Sequence, residues 1–418
     1  MGKYSVIGGN RLEGEITVQG SKNAVLPILA ATILNKGKSH LYNCPKILDV
    51  ENMISILQAI GCNVSWQDNV LVIDSSVLTT DEIPVNYVQS MRSSIIVLGS
   101  VLGRLKSVVI SFPGGCSIGL RPIDLHIKAL KQMNIHVMDT KDGLLKCSTD
   151  HIKGSTIHLD YPSVGATENV MLVSVLSSGI TKIYNAAKEP EIVELEAFLN
   201  AMGARVSGAG TDCIVVQGVE SLHDVEYHVV ADRIVAGTFL AATAVTGGEI
   251  LLKNVHRDHI DSICSKFQDM GCEIRNLKDQ IYLRSYERLK AIDLIRTQPH
   301  PGFPTDMQAQ MMVCLAVAEG TSVLSENIFE SRFKHVPELS KMGANIIIDG
   351  RVAIIKGVKK LNASEVFAED LRGGAALIIA GLVAEGHTIV NNANHVMRGY
   401  EDIHLRLQTL GAQISYLE

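Results

Sequence analysis

Aromatic residues are scarce in this sequence: they make up 5% of its 418 residues, and tryptophan occurs once. Hydrophobic residues nevertheless reach 46%, and most of them are alanine, valine, isoleucine and leucine. Such small aliphatic side chains suit helices packed repeatedly on sheets better than they suit a carbohydrate-binding sandwich. Because a chain of 418 residues is too long for one ordinary core, we expect two domains.

The sequence also lacks any block of five or more basic residues, and its net charge is −6. We therefore expect no nucleic-acid partner, although a local cluster of arginines could still bind a small anion. The first apolar run, residues 24–34, is too short to span a membrane. The opening residues contain no apolar signal segment, so we expect a cytoplasmic protein that makes no membrane contact.

No pair of cysteines has the CxxC spacing, which argues against a zinc site or a thioredoxin-like site. A disulfide framework is not expected in a long chain without a signal peptide. We therefore expect free thiols and neither a metal nor a cofactor. The eight cysteines are Cys44, Cys62, Cys116, Cys147, Cys213, Cys264, Cys272 and Cys314.

What the sequence does contain is a sixfold repeat. Each copy has an apolar helix rich in small residues, a β-rich stretch, a second helix and a strand. The second helix ends in a residue suited to a left-handed C-terminal conformation, usually glycine. These residues are about 70 positions apart: Gly61, Asn134, Gly203, Gly271, Gly343 and Gly411.

The first helix of each repeat is apolar on all sides, so we expect it to be buried. We predict an α/β fold of two domains, each made of three β-α-β-α-β repeats with sheets around buried helices.

Polar residues interrupt this pattern at the start of one buried helix, in Gly20-Ser-Lys-Asn-Ala24. The free N–H groups of a helix N-terminus favour an anion, whereas a lysine there opposes the helix dipole. Lys22 and Asn23 are therefore candidate binding residues. The alternative is an ordinary capping turn, with Ser21 or Asn23 as the cap and Lys22 in solvent.

A second unusual stretch is Phe112-Pro-Gly-Gly-Cys-Ser-Ile-Gly-Leu-Arg121. Its glycines permit unusual backbone angles, and a nearby cation such as Arg121 lowers the pKa of a thiol. Cys116 is thus a candidate acid or base. The alternative is a buried inert cysteine, which is the commoner fate of this residue type.

The third stretch, residues 299–310, is a proline-rich loop in which Asp306 precedes an apolar helix. Asp306 is either a helix N-cap or a general base. Arginines also recur at equivalent places in the last repeats, at Arg332, Arg372 and Arg398. Together with Lys22 and Arg121, they favour a site for a small polyanion.

Taken together, these stretches resemble the UDP-N-acetylglucosamine 1-carboxyvinyltransferases of the enolpyruvyl transferase family. A related group in that family, 5-enolpyruvylshikimate-3-phosphate synthase, shares the six-repeat fold but lacks the GGC loop. The similar motifs occur in order along the chain: GSKNAVLPILAA, MRSSIIVLG, PGGCSIGLRPIDLH, PSVGATEN, PGFPTDMQAQ, RFKHVPEL, DLRGGAALIIAGL and RGYE.

The resemblance implies two inside-out α/β barrel domains with the active site in the cleft between them. The N-terminal domain would comprise residues 22–230, and the C-terminal domain residues 1–21 together with 231–418. The implied reaction transfers the enolpyruvyl group of phosphoenolpyruvate to the 3-hydroxyl of UDP-N-acetylglucosamine and releases phosphate. It is the first committed step of peptidoglycan synthesis. Family members are monomers or weak homo-oligomers.

The resemblance also implies residue roles. Cys116 would be the proton donor, with a covalent adduct to phosphoenolpyruvate also expected, and Asp306 would be the base. Lys22 and Arg398, which would also be catalytic residues, would hold phosphoenolpyruvate together with Arg121, helped by Arg332 and Arg372. Asn23 and Asp306 would contact the sugar, and Ile328 would pack beside it. The UDP contacts would be Arg92, Arg121, Pro122, Ile123, Asp124, Leu125, Ser163, Val164 and Gly165.

The sequence departs from the family pattern at Ser93, Tyr161 and His300, none of them a catalytic position. Two other functions remain open: shikimate-type enolpyruvyl transfer, and a catalytically silent protein that binds a UDP-sugar. The GGC loop argues against the first, and the intact Lys22, Cys116, Asp306 and Arg398 argue against the second.

Overall fold

The computed structural model describes residues 2–114, 118–119, 122–140 and 142–418. Cys116 and Arg121 lie outside the described residues. The helices are α1 (Lys22–Thr32), α2 (Leu48–Ala59), α3 (Val85–Ser90), α4 (Val97–Leu105), α5 (Asp124–Gln132), α6 (Val164–Ser174), α7 (Pro190–Ala201), α8 (Arg233–Thr246), α9 (Arg257–Asp269), α10 (Gln308–Val317), α11 (Val336–Lys341), α12 (Leu371–Val383), α13 (Asn394–Met397) and α14 (Ile403–Thr409). Short 3-10 helices span Arg92–Ile96 and Thr305–Met307.

The strands are short, three to five residues each. They are β1 (Lys3–Ile7), β2 (Glu13–Thr17), β3 (Lys38–Tyr42), β4 (Asn63–Gln67), β5 (Val70–Asp74), β6 (Ser107–Ser111), β7 (His136–Asp139), β8 (Leu144–Ser148), β9 (Thr156–His158), β10 (Ile180–Tyr184), β11 (Arg205–Ser207), β12 (Cys213–Gln217), β13 (Val225–His228), β14 (Glu249–Lys253), β15 (Glu273–Leu277), β16 (Gln280–Arg284), β17 (Leu294–Arg296), β18 (Thr321–Ser325), β19 (Asn345–Asp349), β20 (Val352–Lys356), β21 (Glu365–Phe367), β22 (His387–Asn391) and β23 (Gln413–Leu417).

The described residues form two compact units. The N-terminal unit contains residues 20–114, 122–140 and 142–230, and the C-terminal unit contains residues 2–19, 118–119 and 231–418. The assignment of domains with boundaries at residues 22 and 231 stays a prediction.

Each unit is built from three small sheets that are separate from one another. In the N-terminal unit the strand orders are β13-β3-β5-β4, β6-β8-β7 and β9-β10-β12-β11. In the C-terminal unit they are β2-β14-β16-β15, β17-β18-β20-β19 and β21-β22-β1-β23. Five of the sheets combine one parallel edge strand with antiparallel neighbours.

The repeat contains one strand more than the predicted β-α-β-α-β pattern. After the second helix, the chain forms a hairpin and not a single strand, as in β4 and β5. The turn between them contains Asp68, whose φ of 54° lies in the left-handed region that Asp and Asn tolerate better than most residues. The repeat is therefore β-α-β-α-β-β, and it contains the sheet strands and buried helix that the sequence predicts.

The helices that are apolar on all sides occupy the centre of each unit, as predicted. In the C-terminal unit, α8, α10 and α12 contact one another, and every residue of α10 is buried. In the N-terminal unit, α4 contacts both α1 and α6. None of the helices described has both the length and the apolar character needed to cross a bilayer.

Arg104 ties the end of α1 to the neighbouring chain. Its guanidinium donates hydrogen bonds to the carbonyls of Ile33 and Asn35, just beyond α1, and to those of Ser75 and Ser76. A helix C-terminus leaves carbonyl groups unpaired, so this side chain satisfies acceptors that would otherwise be buried without a donor.

We expect Arg104→Ala to lower the free energy of unfolding by about 2 kcal/mol, because the half-buried carbonyls lose their donor. Urea unfolding followed by circular dichroism measures the change. The matched control is Arg205→Ala, at an exposed position of the same unit, which we expect to change stability by less than about 0.5 kcal/mol. Equal stability of the two variants would contradict this role.

Candidate active site

Asp306 in the C-terminal unit is held by two arginines. Its carboxylate accepts hydrogen bonds from Arg332 Nη2 at 2.9 Å, and from Arg372 Nη2 at 3.0 Å and Nε at 3.3 Å. The arginine side chains are only 3% and 2% exposed, whereas the Asp306 side chain is 26% exposed. The alternative that Asp306 caps the following helix is wrong, since neither Thr305–Met307 nor α10 has a side-chain cap.

The N-terminus of α12 positions Arg372. Asp370 caps this helix by accepting hydrogen bonds from the backbone N–H groups of Arg372 and Gly373. Burial acts to lower the pKa of Arg372, but its interactions with Tyr400, Asp306 and Asp232 outweigh burial, and the net effect raises the pKa. Arg372 is therefore a permanent buried cation, which is suited to binding an anion.

Glu326 holds the loop that contains Ile328. This fully buried carboxylate accepts hydrogen bonds from the hydroxyls of Thr297 and Thr305 and from the N–H groups of Ile328 and Phe329. Thr305 immediately precedes Asp306, so Glu326 ties the Ile328 loop to the Asp306 turn.

Histidines accompany the arginines near Asp370. Burial lowers the pKa of His335 to about 4, and the effects of Asp370, which raises it, and of Arg332, which lowers it, are smaller. His335 is therefore neutral at neutral pH and adds no positive charge to the site. Burial also lowers the pKa of His395, and nearby Arg398 lowers it further.

In the N-terminal unit, Lys22 is the first residue of α1 and is buried. Its ammonium lies 3.2 Å from a carboxylate oxygen of Asp49, which is fully buried on α2. Ser21 caps α1, as one alternative predicted, by accepting a hydrogen bond from the N–H of Ala24. The same alternative placed Lys22 in solvent, which is wrong.

The three segments assigned to UDP binding meet around Asn169 of α6. Its side-chain oxygen accepts a hydrogen bond from the N–H of Gly99, so its amino group faces the other way. That amino group donates to the Ile95 carbonyl, the Gly165 carbonyl and His126 Nδ1. Asn169 thereby links the 3-10 helix that begins at Arg92, the start of α6 and the start of α5.

Close packing at Gly165 strengthens this link. A Cβ atom at Gly165 would lie 3.1 Å from His126 Cε1, so any side chain there would crowd the histidine. Ser163 caps α6 by accepting a hydrogen bond from the N–H of Ala166. Pro122, Ile123, Asp124 and Leu125 lie at the start of α5, just before His126.

The structure thus brings together Asp306, Arg332 and Arg372 directly, and places Ile328 and Arg398 in the elements around them. The binding and catalytic roles of all the site residues stay predictions. Sequence reasoning missed four buried polar residues that position these side chains: Asp49, Glu326, Asp370 and Asn169. Asp49 looks like an ordinary helix-start residue in the sequence, and Glu326 lies in none of the motifs. Asp370 and Asn169 do lie in the motifs DLRGGAALIIAGL and PSVGATEN, but the motifs alone assign them no role.

The described cysteines differ from a reactive thiol. Six of the seven are buried, and Cys213 is partly exposed. Burial raises the pKa of Cys147 to about 12 and that of Cys264 and Cys272 to about 11. These thiols stay protonated at neutral pH, and protonated thiols are poor nucleophiles. Within the described ranges, the acidic residues, histidines and cysteines form no cluster of three that could hold a metal ion.

Comparison with known proteins identifies the family. A family model described as EPSP synthase (3-phosphoshikimate 1-carboxyvinyltransferase) matches residues 6–407. The chain belongs to the EPSP synthase family. The chain is similar to UDP-N-acetylglucosamine 1-carboxyvinyltransferase 2 of Caldanaerobacter subterraneus subsp. tengcongensis, which is 51% identical over 99% of both chains.

A second relative, UDP-N-acetylglucosamine 1-carboxyvinyltransferase 1 of Staphylococcus aureus, is 46% identical over 99% of both chains. These relatives confirm the resemblance inferred from the motifs.

Two solved structures share the fold. The enolpyruvyl transferase NikO from Streptomyces tendae matches with a TM-score of 0.88 at 23% identity, covering 99% of this chain and 98% of that one. EPSP synthase from Acinetobacter baumannii matches with a TM-score of 0.76 at 18% identity over 100% of both chains. These likenesses confirm the predicted two-domain inside-out α/β fold class.

We expect native protein at neutral pH to show at most two fast thiols with an aromatic disulfide reagent, whereas all eight cysteines react after denaturation. Burial and raised pKa values keep the other thiols slow. Absorbance of the released thiolate measures the count. Cys116→Ser should remove one fast thiol, whereas the control Cys147→Ser, at a buried position, should leave the fast count unchanged. An unchanged fast count in Cys116→Ser would show that Cys116 is not reactive.

Proposed function

We propose that this chain transfers the enolpyruvyl group of phosphoenolpyruvate to the 3-hydroxyl of UDP-N-acetylglucosamine, with release of phosphate. The observation that carries the proposal is identity of 46% and 51%, over 99% of both chains, to two proteins named for this reaction. The pairing of Asp306 with two buried arginines supports it, because it supplies a base and anion-binding groups in one place.

Phosphoenolpyruvate needs several cations, since it carries about three negative charges near neutral pH. Lys22, Arg121 and Arg398 hold its phosphate and carboxylate, and Arg332 and Arg372 assist. Guanidinium groups suit this task because their donors match two oxygens of a phosphate or carboxylate at once. In a site poorer in water than bulk solvent, the same charges also stabilise the departing phosphate.

Binding of this anion changes the surroundings of Asp306. Arg332 and Arg372 donate to Asp306 in the described structure. An arginine that turns to the substrate anion stabilises the Asp306 carboxylate less, and the carboxylate becomes a stronger base. Arrival of one substrate thereby prepares Asp306 to take the proton of the sugar hydroxyl.

The reaction is an addition followed by an elimination. Cys116 gives its thiol proton to carbon 3 of phosphoenolpyruvate, the sugar oxygen bonds to carbon 2, and Asp306 takes the hydroxyl proton. The tetrahedral intermediate then loses phosphate, which takes the proton held by Asp306. Carbon 3 returns a proton to the Cys116 thiolate, so that the double bond re-forms. No cofactor is required for these steps.

The second substrate is held by its nucleotide and its sugar. Arg92, Ser163–Gly165 and residues 121–125 bind the UDP portion, while Asn23, Asp306 and Ile328 contact the sugar. The hydrogen bonds of Asn169 support this assignment, because they join the described parts of these UDP-binding segments into one rigid group. The enzyme acts in the cytoplasm at the first committed step of peptidoglycan synthesis, and so serves cell-wall growth, cell shape and division.

We expect Cys116→Ser to reduce turnover by at least about 100-fold, because a serine hydroxyl is a far weaker acid than a thiol. Cys116→Asp should retain part of the activity, since a carboxyl group can also donate a proton. A phosphate-release assay with both substrates measures turnover, and Cys213→Ser is the control. Normal turnover by Cys116→Ser would show that Cys116 is not the acid.

The same assay separates the other functions. Wild-type protein that binds UDP-N-acetylglucosamine but releases no phosphate is a silent UDP-sugar binder, which contradicts the proposal. Turnover with shikimate 3-phosphate in place of the UDP-sugar, and no fosfomycin adduct on Cys116 by mass spectrometry, would assign shikimate-type transfer instead.

We expect Arg372→Lys to raise the KM for phosphoenolpyruvate by at least about tenfold, because lysine cannot bind an anion with two parallel donors. The initial rate of phosphate release measures KM. Arg275→Lys is the matched control, since its side chain is 65% exposed in the same unit. An unaltered KM and kcat in a correctly folded Arg372→Lys protein would show that Arg372 does not bind phosphoenolpyruvate.

A further inference from the structure

One sheet of the C-terminal unit exposes a continuous row of apolar side chains. Leu294, Val323, Ile354 and Ile347 are paired in register across all four strands, β17-β18-β20-β19. Leu294 is 39% exposed, Ile354 42% and Ile347 60%. We call these four residues the apolar row. Scattered apolar side chains are normal on a protein surface, whereas a contiguous set marks an interaction site.

The other sheets do not share this feature. In the described residues, the equivalent central row of each of the other five sheets contains at least one charged side chain. These charged residues are Glu365, Glu15, Arg275, Lys182, Glu226 and Lys146. Because the six sheets arise from the same repeat, the apolar row is specific to this one and not a consequence of the fold.

Opposite charges lie at the two ends of one row beside the apolar row, while the row on its other side contains Thr321, Lys356 and Asn345. The next outward-facing row runs Arg296, Ser325, Val352 and Asp349, so the arginine lies on one edge strand and the aspartate on the other. Both residues are exposed, and neither forms an ion pair with another residue in the part of the chain that the structure describes. Their charges are about three strand spacings, or roughly 14 Å, apart.

We propose that this face binds the same face of a second copy of the chain across a two-fold axis parallel to the strands. Such an axis places β17 of one copy over β19 of the other and keeps each row opposite itself. Arg296 then faces Asp349 of the second copy, and this pair occurs twice. Within the apolar row, Leu294 faces Ile347, and Val323 faces Ile354.

The charge pattern selects this axis. A two-fold axis perpendicular to the strands would place Asp349 opposite Asn345 and leave Arg296 without a carboxylate. Aligned packing of two sheets about 10 Å apart is a common arrangement of β-structure. Self-complementary charge in the row beside the apolar row therefore favours a second copy over an unrelated partner.

The size of the face predicts a weak dimer. Four strands of up to five residues cover roughly 300 Å², whereas a standard stable interface buries about 800 Å² on each partner. We therefore expect dimers to form only at high protein concentration.

Sedimentation velocity over about 1–300 μM protein tests the proposal. We expect a concentration-dependent shift from one copy to two, which Ile347→Lys abolishes by placing a charge in the apolar row. Ile180→Lys is the matched control, since Ile180 is 53% exposed on a sheet of the other unit. A wild-type protein that stays monomeric throughout, or a dimer that survives Ile347→Lys, would overturn the proposal.

Charge exchange tests the axis independently of apolar packing. We expect Arg296→Asp and Asp349→Arg each to raise the dissociation constant at least about tenfold, because like charges then meet twice. The double variant Arg296→Asp/Asp349→Arg restores opposite charges and should dimerise as the wild type does. A double variant no better than the singles would overturn the two-fold arrangement. Thermal unfolding confirms that each variant is folded.

Discussion

The structure depends on the placement of one carboxylate between two buried guanidinium groups. Burying an arginine is costly unless a negative group compensates it, and Asp306 compensates both Arg332 and Arg372. The three residues belong to a 3-10 turn, a loop and the start of α12, so this contact joins separate segments of the C-terminal unit. It also leaves the carboxylate more exposed than its partners. A group held in this way by cations can be released when a competing anion takes those cations.

The repeat explains why such contacts arise where they do. Each repeat directs a buried apolar helix toward the centre of its unit, and polar residues collect where those helices begin. The same position, at or just before the start of a buried helix, is occupied by Lys22 in α1, Asp306 before α10 and Arg372 in α12. The glutamate that orders the Ile328 loop follows directly after β18, a strand that belongs to the sheet with the apolar row. The proposed dimer face and the Asp306 turn are thus supported by the same sheet.

The fold class, the repeats and the buried helices could be predicted from the sequence. A buried helix needs apolar residues on all its sides, and this requirement appears directly in the composition and periodicity of a short stretch of chain. Sequence reasoning missed the extra strand in each repeat, since a hairpin turn such as that at Asp68 resembles an ordinary loop. It proposed Lys22, Asp306 and the arginines as site residues but not their partners. Asp49 and Asn169 act through contacts distant in sequence, which no local pattern encodes. The sequence could not decide whether Asp306 is a helix cap or a general base. That choice depends on which atoms contact its carboxylate, and only the structure shows them.

The most direct measurement is a crystal structure of the Cys116→Ser protein with phosphoenolpyruvate and UDP-N-acetylglucosamine. The account predicts that Arg332 or Arg372 lies about 3 Å from an oxygen of phosphoenolpyruvate and has left Asp306, which then contacts the sugar hydroxyl. Both arginines still bound to Asp306, with the three-carbon anion held elsewhere, would contradict it.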